Sequence, residues 1–167
     1  MYRSFDQVKT IASLGGGPIG AGWAAHFLAM GYNVKSFIYK NDERDNYDTF
    51  IETAWDSLKK IGLCETASLN NLLISTDISE VISDTDFIQE SIPEILEVKR
   101  KFYEILGTIV PTDVIIASST SGLTMTEIQK FCSTPERTII AHPFNPPYLL
   151  PLVEIVGGKK TSNSAVE

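Results

Sequence analysis

Apolar and polar residues alternate along the chain in a pattern that predicts strands joined by helices. Short apolar runs, typical of buried strands, separate longer stretches in which apolar residues return every three or four positions. The short runs predict strands at 9–14, 34–39, 72–75, 87–90, 114–118, 138–142 and 152–156. The longer stretches predict helices at 18–30, 45–61, 95–106 and 124–131. This alternation favours an α/β fold, doubly wound, with a mostly parallel sheet.

Amphipathic spacing is clearest in the first two predicted helices. The helix at 18–30 is followed by Gly31 as a stop signal, and its apolar positions are Ile19, Trp23, Phe27 and Met30. The helix at 45–61 is ended by Gly62, and the residues predicted to face the core are Tyr47, Phe50, Ile51, Trp55 and Leu58.

Composition and charge narrow the class of protein. The 167 residues are 43% hydrophobic, which suits one soluble globular domain, and the net charge of −7 argues against nucleic acid as a partner. We find no apolar run long enough to cross a bilayer and no apolar core of a signal peptide, so we expect no membrane association and a cytoplasmic location. Cys64 and Cys132 lie outside any metal-ligand spacing and are expected to be reduced thiols with no metal.

A glycine-rich turn stands between the first predicted strand and the first predicted helix. Gly15, Gly17 and Gly20 form a GxGxxG motif, which alone is a weak signal and can be only a turn. Its position between strand and helix predicts a dinucleotide-binding Rossmann fold, with the pyrophosphate at the helix N-terminus. The predicted cofactor-binding residues of this turn are Gly15, Gly16, Gly17, Pro18, Ile19 and Gly20.

The end of the second predicted strand lacks the acidic residue that usually binds the adenine ribose of NAD. That position falls on Ile38. After a register shift, a substitute would be one of Tyr39, Asn41 and Asp42. Two basic residues nearby would instead suit the 2′-phosphate of NADP, namely Lys40 and Arg44. We expect NAD as the cofactor, and the sequence leaves NADP open.

A histidine and a glutamate near the end of the chain form a candidate acid/base pair. His142 ends one predicted strand and Glu154 lies within the next, so a turn between the strands brings imidazole and carboxylate into contact. The simpler interpretation is a structural histidine beside a proline-rich loop.

Several motifs, in their order along the chain, resemble the N-terminal domain of the 3-hydroxyacyl-CoA dehydrogenase superfamily. They are the glycine turn, QESIPE at 89–94 with Lys99, the SSTS run at 118–121, and HPFNP at 142–146 with Glu154. Within the superfamily, the segments at 22–23, 116–123 and 142–158 are most similar to the L-carnitine dehydrogenase branch.

The resemblance implies a role for each motif. His142 would take the proton of a secondary hydroxyl while hydride leaves for the nicotinamide, Glu154 would hold the imidazole, and Ser121 would hydrogen-bond the reacting oxygen. The residues that match family positions at the nicotinamide end are Glu94, Lys99 and Asn145. Without the resemblance, the Ser/Thr run is a loop or helix cap, and Glu94 with Lys99 is a solvated helix face.

Charge bears on the substrate. Residues 42–60 contain six acidic and three basic side chains, a surface that repels the phosphates of coenzyme A. A trimethylammonium substrate tolerates acid and favours aromatic faces, so L-carnitine, oxidised to 3-dehydrocarnitine, is the expected small-molecule 3-hydroxy substrate. The available aromatic residues are Tyr47, Phe50, Trp55, Phe144 and Tyr148, of which the first three are more simply core residues. The alternatives are a 3-hydroxybutyryl-CoA or L-gulonate 3-dehydrogenase, and a non-catalytic dinucleotide-binding module.

The resemblance also implies a second domain. Family members continue into a helical domain that completes the substrate pocket and makes the homodimer contact. We therefore expect residues 1–157 to form the dinucleotide-binding domain and residues 158–167, which are polar and small, to begin the linker. On this interpretation the chain is a piece of a longer protein, and it binds dinucleotide but turns over poorly alone.

Overall fold

Seven strands form one sheet in the computed structural model, which describes residues 2–167. Met1, where the predicted first domain begins, lies outside the described residues. The strands are β1 (Thr10–Leu14), β2 (Asn33–Phe37), β3 (Leu72–Ser75), β4 (Phe87–Glu90), β5 (Ile115–Ser118), β6 (Thr138–Pro143) and β7 (Val153–Gly157). Their order is β3-β2-β1-β4-β5-β6-β7, and only β7 runs antiparallel to its neighbour.

Helices lie between the parallel strands, and a last short helix follows β7. They are α1 (Pro18–Ala29), α2 (Arg44–Ile61), α3 (Ile78–Ile82), α4 (Leu96–Ile109), α5 (Met125–Ile128) and α6 (Asn163–Val166). The chain order reverses between β1 and β4, which makes a crevice at the carboxyl ends of these strands. The predicted α/β class, with a doubly wound and mostly parallel sheet, is confirmed.

The sheet has a separate hydrophobic core on each face, as alternation along β1 requires. Ala12 and Leu14 pack in one cluster with Leu106 of α4. Ser13 points to the other face, where its hydroxyl donates to the carbonyl of Gly20 in α1 at 2.9 Å. A second cluster on that face joins α1, α2 and β2.

The predicted core face of the second helix needs one correction. Tyr47, Ile51 and Leu58 are buried as expected, whereas Phe50 is 43% exposed. Successive residues of a helix point in directions about 100° apart, so a neighbour of the buried Ile51 lies at the edge of the buried face. Phe50 occupies this edge.

Most other element boundaries shift by one to three residues, and two regions differ more. The helix predicted at 124–131 is one turn of α-helix, Met125–Ile128, continued by a 3₁₀ segment at Gln129–Phe131. The short α3 was not predicted, because its five residues, capped by Asp77, are fewer than two helical turns. The strand predicted to begin at Val114 begins at Ile115.

Residues 158–167 pack against the sheet. Ala165 in α6 is buried with Ala117, Ile139 and Ala141. The backbone N–H of Lys160 donates to the side chain of Gln129 at 3.0 Å. The division of the chain at residue 157 stays a prediction.

Candidate active site

The glycine turn after β1 is shaped by contacts that leave no room for side chains. Gly15 has φ of +138°, a conformation that favours glycine, and a Cβ there would lie 2.4 Å from the carbonyl oxygen of Ser91. A Cβ on Gly20 would lie 2.1 Å from the carbonyl oxygen of Gly15. These two glycines therefore bring β1, α1 and the end of β4 close together.

Gly17 differs from its neighbours because its missing side chain faces open space. A Cβ at this position would meet no atom within 4 Å. Gly17 is the N-cap residue of α1 and makes no side-chain cap bond, so the N–H groups of the first helical turn remain available to an anion. An open glycine at a helix N-terminus fits the pyrophosphate of a dinucleotide.

The expected ribose position at the end of β2 is occupied by a buried apolar side chain. Ile38 is 1% exposed and belongs to the core. A carboxylate reaches this corner from the next turn instead. The Oε2 atom of Glu43 accepts the backbone N–H of Tyr39 at 3.0 Å and lies beside Gly16. The sequence prediction considered Tyr39, Asn41 and Asp42 here and missed Glu43, whose signal was its place one residue beyond them.

A cavity of about 180 Å³ opens beside the glycine turn, at the carboxyl ends of β4 and β5. It is lined by four of the predicted site residues, namely Ile19 of the glycine turn, Glu94 and Lys99 at and after the 89–94 motif, and Ser121 of the SSTS run. Its lining residues are Ile19, Ser91, Ile92, Glu94, Lys99, Ser119 and Ser121.

Glu94 ties the cavity wall to the loop after β5. Its Oε1 accepts the backbone N–H groups of Ser121 at 3.1 Å and Gly122 at 3.0 Å, and also the hydroxyl of Thr120. Partial burial alone raises the pKa of Glu94, but these hydrogen bonds and nearby Lys99 outweigh it, so the pKa lies below its usual value. The carboxylate thus stays charged and fixes the backbone on which Ser121 sits.

Lys99 is not part of a solvated helix face. Its side chain is 1% exposed, and its Nζ lies 2.5 Å from Glu90 Oε1 and 3.5 Å from Glu94 Oε2. Glu90 is itself fully buried, and it also accepts the hydroxyl of Ser118 at 2.6 Å. A buried charge needs a partner, and Lys99 supplies it beneath the cavity floor.

A polar network around Ser119 was not predicted from sequence. Its Oγ accepts the indole N–H of Trp23 at 3.1 Å and the amide of Gln89 at 2.8 Å. Since the indole N–H and the amide NH₂ group can only donate, the hydroxyl hydrogen of Ser119 is free to bond the hydroxyl oxygen of Ser91 at 2.9 Å. Gln89 also donates to the carbonyl of Ala141 at 3.2 Å, which links the cavity to the strand that ends at His142.

His142 and Glu154 face each other across the antiparallel pair β6 and β7. They are direct partners in the strand register, and His142 Nδ1 lies 2.8 Å from Glu154 Oε2. An ionised carboxylate only accepts, so Nδ1 carries the proton and Nε2 is left to accept one. The two side chains are 29% and 58% exposed, so the pair is open to solvent, and neither residue lines the cavity.

The loop after His142 rests on α1. A Cβ on Gly22 would lie 3.0 Å from Pro147 Cδ, so this glycine lets the loop approach the helix. Asn145 is exposed on the same loop and does not line the cavity. Phe144 is also exposed, with its ring 6.1 Å from that of His142.

The sequence comparisons match this arrangement. Residues 10–167 match the family of the 3-hydroxyacyl-CoA dehydrogenase NAD-binding domain. The chain belongs to this family. An NAD-binding domain is what the glycine turn predicted, and the expectation of NAD as the cofactor is confirmed.

Curated relatives of this NAD-binding domain include L-carnitine dehydrogenases, as the motifs predicted. The protein of Streptomyces coelicolor is 44% identical over 161 residues, which are 96% of this chain and 51% of that protein. The protein of Pseudomonas putida is 43% identical over 96% of this chain and 50% of its own length. The chain therefore spans about half the length of the curated relatives that it matches.

Solved structures share the fold of this NAD-binding domain. An NAD⁺-dependent pyridine carboxylic acid 5-dehydrogenase superposes with a TM-score of 0.87 at 29% identity, over 95% of this chain and 52% of that one. The 3-hydroxybutyryl-CoA dehydrogenase of Escherichia coli gives 0.86 at 29% identity, over 95% of this chain and 34% of that one.

Across residues 2–167, every helix is too short or too polar to cross a bilayer. In the same residues, no group of three or more His, Cys, Asp or Glu side chains is arranged to hold a metal ion.

Proposed function

We propose that this domain serves an NAD-dependent dehydrogenase that oxidises the 3-hydroxy group of L-carnitine to the ketone of 3-dehydrocarnitine. The observation that carries the proposal is the pair of His142 and Glu154, 2.8 Å apart at the carboxyl end of β6, on the edge of the sheet where the glycine turn follows β1. L-carnitine dehydrogenases 40–44% identical to the chain support this substrate.

His142 acts as the general base. The Nε2 atom removes the proton of the substrate hydroxyl, and the Nδ1–H bonded to Glu154 holds the ring in the orientation and tautomer for this transfer. The ionised carboxylate then faces an imidazolium, whose charge it stabilises. NAD supplies the acceptor for the hydride that leaves the same carbon.

Cofactor and reacting oxygen are held by the residues around the cavity. The glycine turn, Gly15 to Gly20, takes the pyrophosphate. Glu94, Lys99 and Asn145 bind toward the nicotinamide end, with Lys99 acting through its contact with Glu94. Ser121, fixed by the bond between its N–H and Glu94, hydrogen-bonds the reacting oxygen.

Charge favours carnitine over an acyl-CoA. The acidic residues of 42–60 lie on an exposed helix and turn, where they repel the phosphates of coenzyme A. Phe144 beside His142 offers an aromatic face to a quaternary ammonium group, an attraction of about 0.5–2 kcal/mol. Tyr47, by contrast, is fully buried and takes no part.

The second candidate is a 3-hydroxybutyryl-CoA dehydrogenase, which the structural match to the Escherichia coli enzyme favours. An L-gulonate 3-dehydrogenase remains a third. The deciding measurement is kcat/KM of the full-length protein with L-carnitine, 3-hydroxybutyryl-CoA and L-gulonate, each with NAD and with NADP. Preference for the acyl-CoA would overturn the carnitine assignment while leaving the dehydrogenase chemistry intact.

The catalytic role of His142 has its own test. His142→Ala in the full-length protein is expected to lower kcat by about 10²–10⁴-fold while NAD affinity stays unchanged. The matched control is His26→Ala, which removes the other of the two histidines, on α1 beside the ring of Trp23. Unchanged turnover in the His142 variant would favour a non-catalytic dinucleotide-binding module.

Assembly and location complete the proposal. We propose that the full-length protein is a cytoplasmic homodimer whose contact lies in a second, helical domain, with residues 158–167 leading into it, and that it binds no nucleic acid. The net charge of −7 supports the last point. Light scattering of the full-length protein and of residues 1–167 tests the dimer: only the former is expected to be dimeric.

A further inference from the structure

The corner between β1 and β2 lacks the residue that NAD-binding domains use to hold the adenine ribose. In its place stands Ile38, whose side chain is 1% exposed and packs in the core. A buried aliphatic group offers the ribose hydroxyls no hydrogen bond. If NAD is held firmly at this end, another side chain must supply the acceptor.

Glu43 brings a carboxylate to that corner from the 3₁₀ turn Asn41–Glu43. A Cβ built on Gly16 would lie 2.3 Å from Glu43 Oε2 and 3.4 Å from Ile38 Cγ2. The carboxylate thus lies directly over the glycine turn and beside the residue that it would replace. Glycine at position 16 is required for this approach, because any side chain there would displace the carboxylate.

The carboxylate is held in place and still has bonding capacity. Oε2 accepts the backbone N–H of Tyr39 at 3.0 Å. Within residues 2–167, Oε1 of Glu43 accepts no hydrogen bond, so it remains free for a ligand hydroxyl. A fixed carboxylate with a free oxygen is suited to a vicinal diol.

We propose that Glu43 binds the adenine-ribose hydroxyls of NAD in place of the residue at position 38, and that it sets the preference for NAD over NADP. The inference rests on the proposed NAD-dependent function and assigns its adenosine subsite. Glu43 comes five residues after Ile38 in the sequence, yet its carboxylate reaches the same corner.

The two basic residues near this corner have contacts of their own. Arg44 Nε lies 3.6 Å from Asp48 Oδ2, and Lys40 Nζ lies 5.8 Å from the ring centre of Tyr39. A 2′-phosphate at this corner would lie against the Glu43 carboxylate. The repulsion between these two negative groups would disfavour NADP relative to NAD.

The test compares Glu43→Gln and Glu43→Ala in the full-length protein. Dissociation constants for NAD and NADP are measured by titration calorimetry at fixed ionic strength. We expect Glu43→Ala to weaken NAD binding by at least about tenfold, the loss of a charge-assisted hydrogen bond. Glu43→Gln keeps the shape and loses the charge, so we expect a smaller loss of NAD affinity and a gain in NADP affinity. The affinity for NAD relative to that for NADP should fall in both variants.

The matched control is Asp42→Asn, which removes the same charge from the neighbouring, exposed position. NAD affinity within twofold of the parent in Glu43→Ala, or an equal loss in Asp42→Asn, would overturn the inference while NAD binding by the parent stands. Failure of the parent to bind NAD would instead overturn the proposed function. Circular dichroism and thermal unfolding establish that both variants are folded.

Discussion

At the scale of single residues, Gly17 and Gly20 belong to one turn yet have opposite surroundings. A Cβ on Gly17 meets nothing, whereas one on Gly20 collides with the carbonyl of Gly15. We predict that Gly17→Ala leaves the melting temperature unchanged and weakens NAD binding at least about tenfold, since only an incoming pyrophosphate meets the new methyl group. Gly20→Ala is predicted to lower both the NAD affinity and the free energy of unfolding, the latter by about 1–3 kcal/mol.

The comparison of these two variants separates ligand contact from folding. Thermal unfolding without ligand and NAD titration of each variant are the measurements. Loss of stability in Gly17→Ala, or full NAD affinity in that variant, would contradict the assignment of Gly17 to the cofactor approach.

Glu154 is the other residue whose effect is separable from folding. Its side chain is 58% exposed and contacts His142 Nδ1 at 2.8 Å. We predict that Glu154→Gln lowers kcat by about 10²-fold, because an amide neither fixes the tautomer nor stabilises the imidazolium. The melting temperature and NAD affinity should not change, and Glu167→Gln, also exposed, serves as the control. An effect on KM alone would place Glu154 in substrate binding instead.

At the scale of elements, a buried guanidinium completes the end of α4. Arg137 is fully buried and donates to the carbonyls of Val110 at 3.0 Å and Leu106 at 3.4 Å, in the last turn, and of Val114 at 2.9 Å before β5. The carbonyl of Val110, the C-cap residue, is one that a helix end leaves without an intrahelical partner, whereas that of Leu106 also accepts the N–H of Val110. Burial lowers the pKa of the Arg137 side chain, which remains a donor.

We therefore predict that Arg137→Met lowers the free energy of unfolding by at least about 3 kcal/mol, because several buried acceptors lose their donor. Urea denaturation measures it. The control on α4 itself is Tyr103→Phe: within residues 2–167 the buried Tyr103 hydroxyl has no hydrogen-bond partner, so its removal should not destabilise the fold. A loss of similar size in both variants would contradict the capping role.

Elements with a strong period were predictable from the sequence. The apolar runs of β1 and β4 and the spacing in α2 reflect burial, which is local information. In α1 the predicted apolar positions are mostly less buried than the alanines between them: Met30 is 43% exposed, and Ile19 and Phe27 are partly exposed. The short α3 carries too few residues to show a period. Phe50 was placed in the core because adjacent apolar positions look alike until the rim of the packed surface is known.

The site was predictable only where its residues fall into motifs. The glycine turn gives its own local signal, while the contact of His142 with Glu154 followed from two strands and a short turn. Ser119 contacts Trp23 and Gln89 because β1, β4 and β5 lie side by side, and Glu43 lies beside Gly16 because β2 lies next to β1. Such contacts between distant segments leave no spacing in the sequence.

At the scale of the whole molecule, Asp86 joins the N-terminal segment to the sheet. Its carboxylate accepts the N–H groups of Lys9 at 2.7 Å and Thr10 at 2.8 Å and is paired with Arg3. Partial burial alone raises the pKa of Asp86, but these donors outweigh it and hold the pKa below 3.8.

A carboxyl group whose pKa is lower in the folded than in the unfolded protein stabilises the fold at pH values above its unfolded-state pKa. This stabilisation is lost as the pH falls through its folded-state pKa. We predict that Asp86→Asn costs about 1.5–3 kcal/mol at neutral pH and that the difference from the parent shrinks between about pH 5 and pH 2. Thermal unfolding across this range measures it, with exposed Asp6→Asn as control. A difference that does not vary with pH would contradict the role of the Asp86 charge.

The contact of Gly22 with Pro147 has a consequence for how the domain can change. Because α1 begins at the glycine turn and also supports the loop that follows His142, the proposed cofactor site and the proposed base rest on the same helix. Any residue larger than glycine at position 22 would lift that loop by way of Pro147 Cδ, 3.0 Å from the new Cβ. A substitution that moves α1 is therefore expected to change both the glycine turn and the position of His142. Changing only one of them requires a substitution outside this helix.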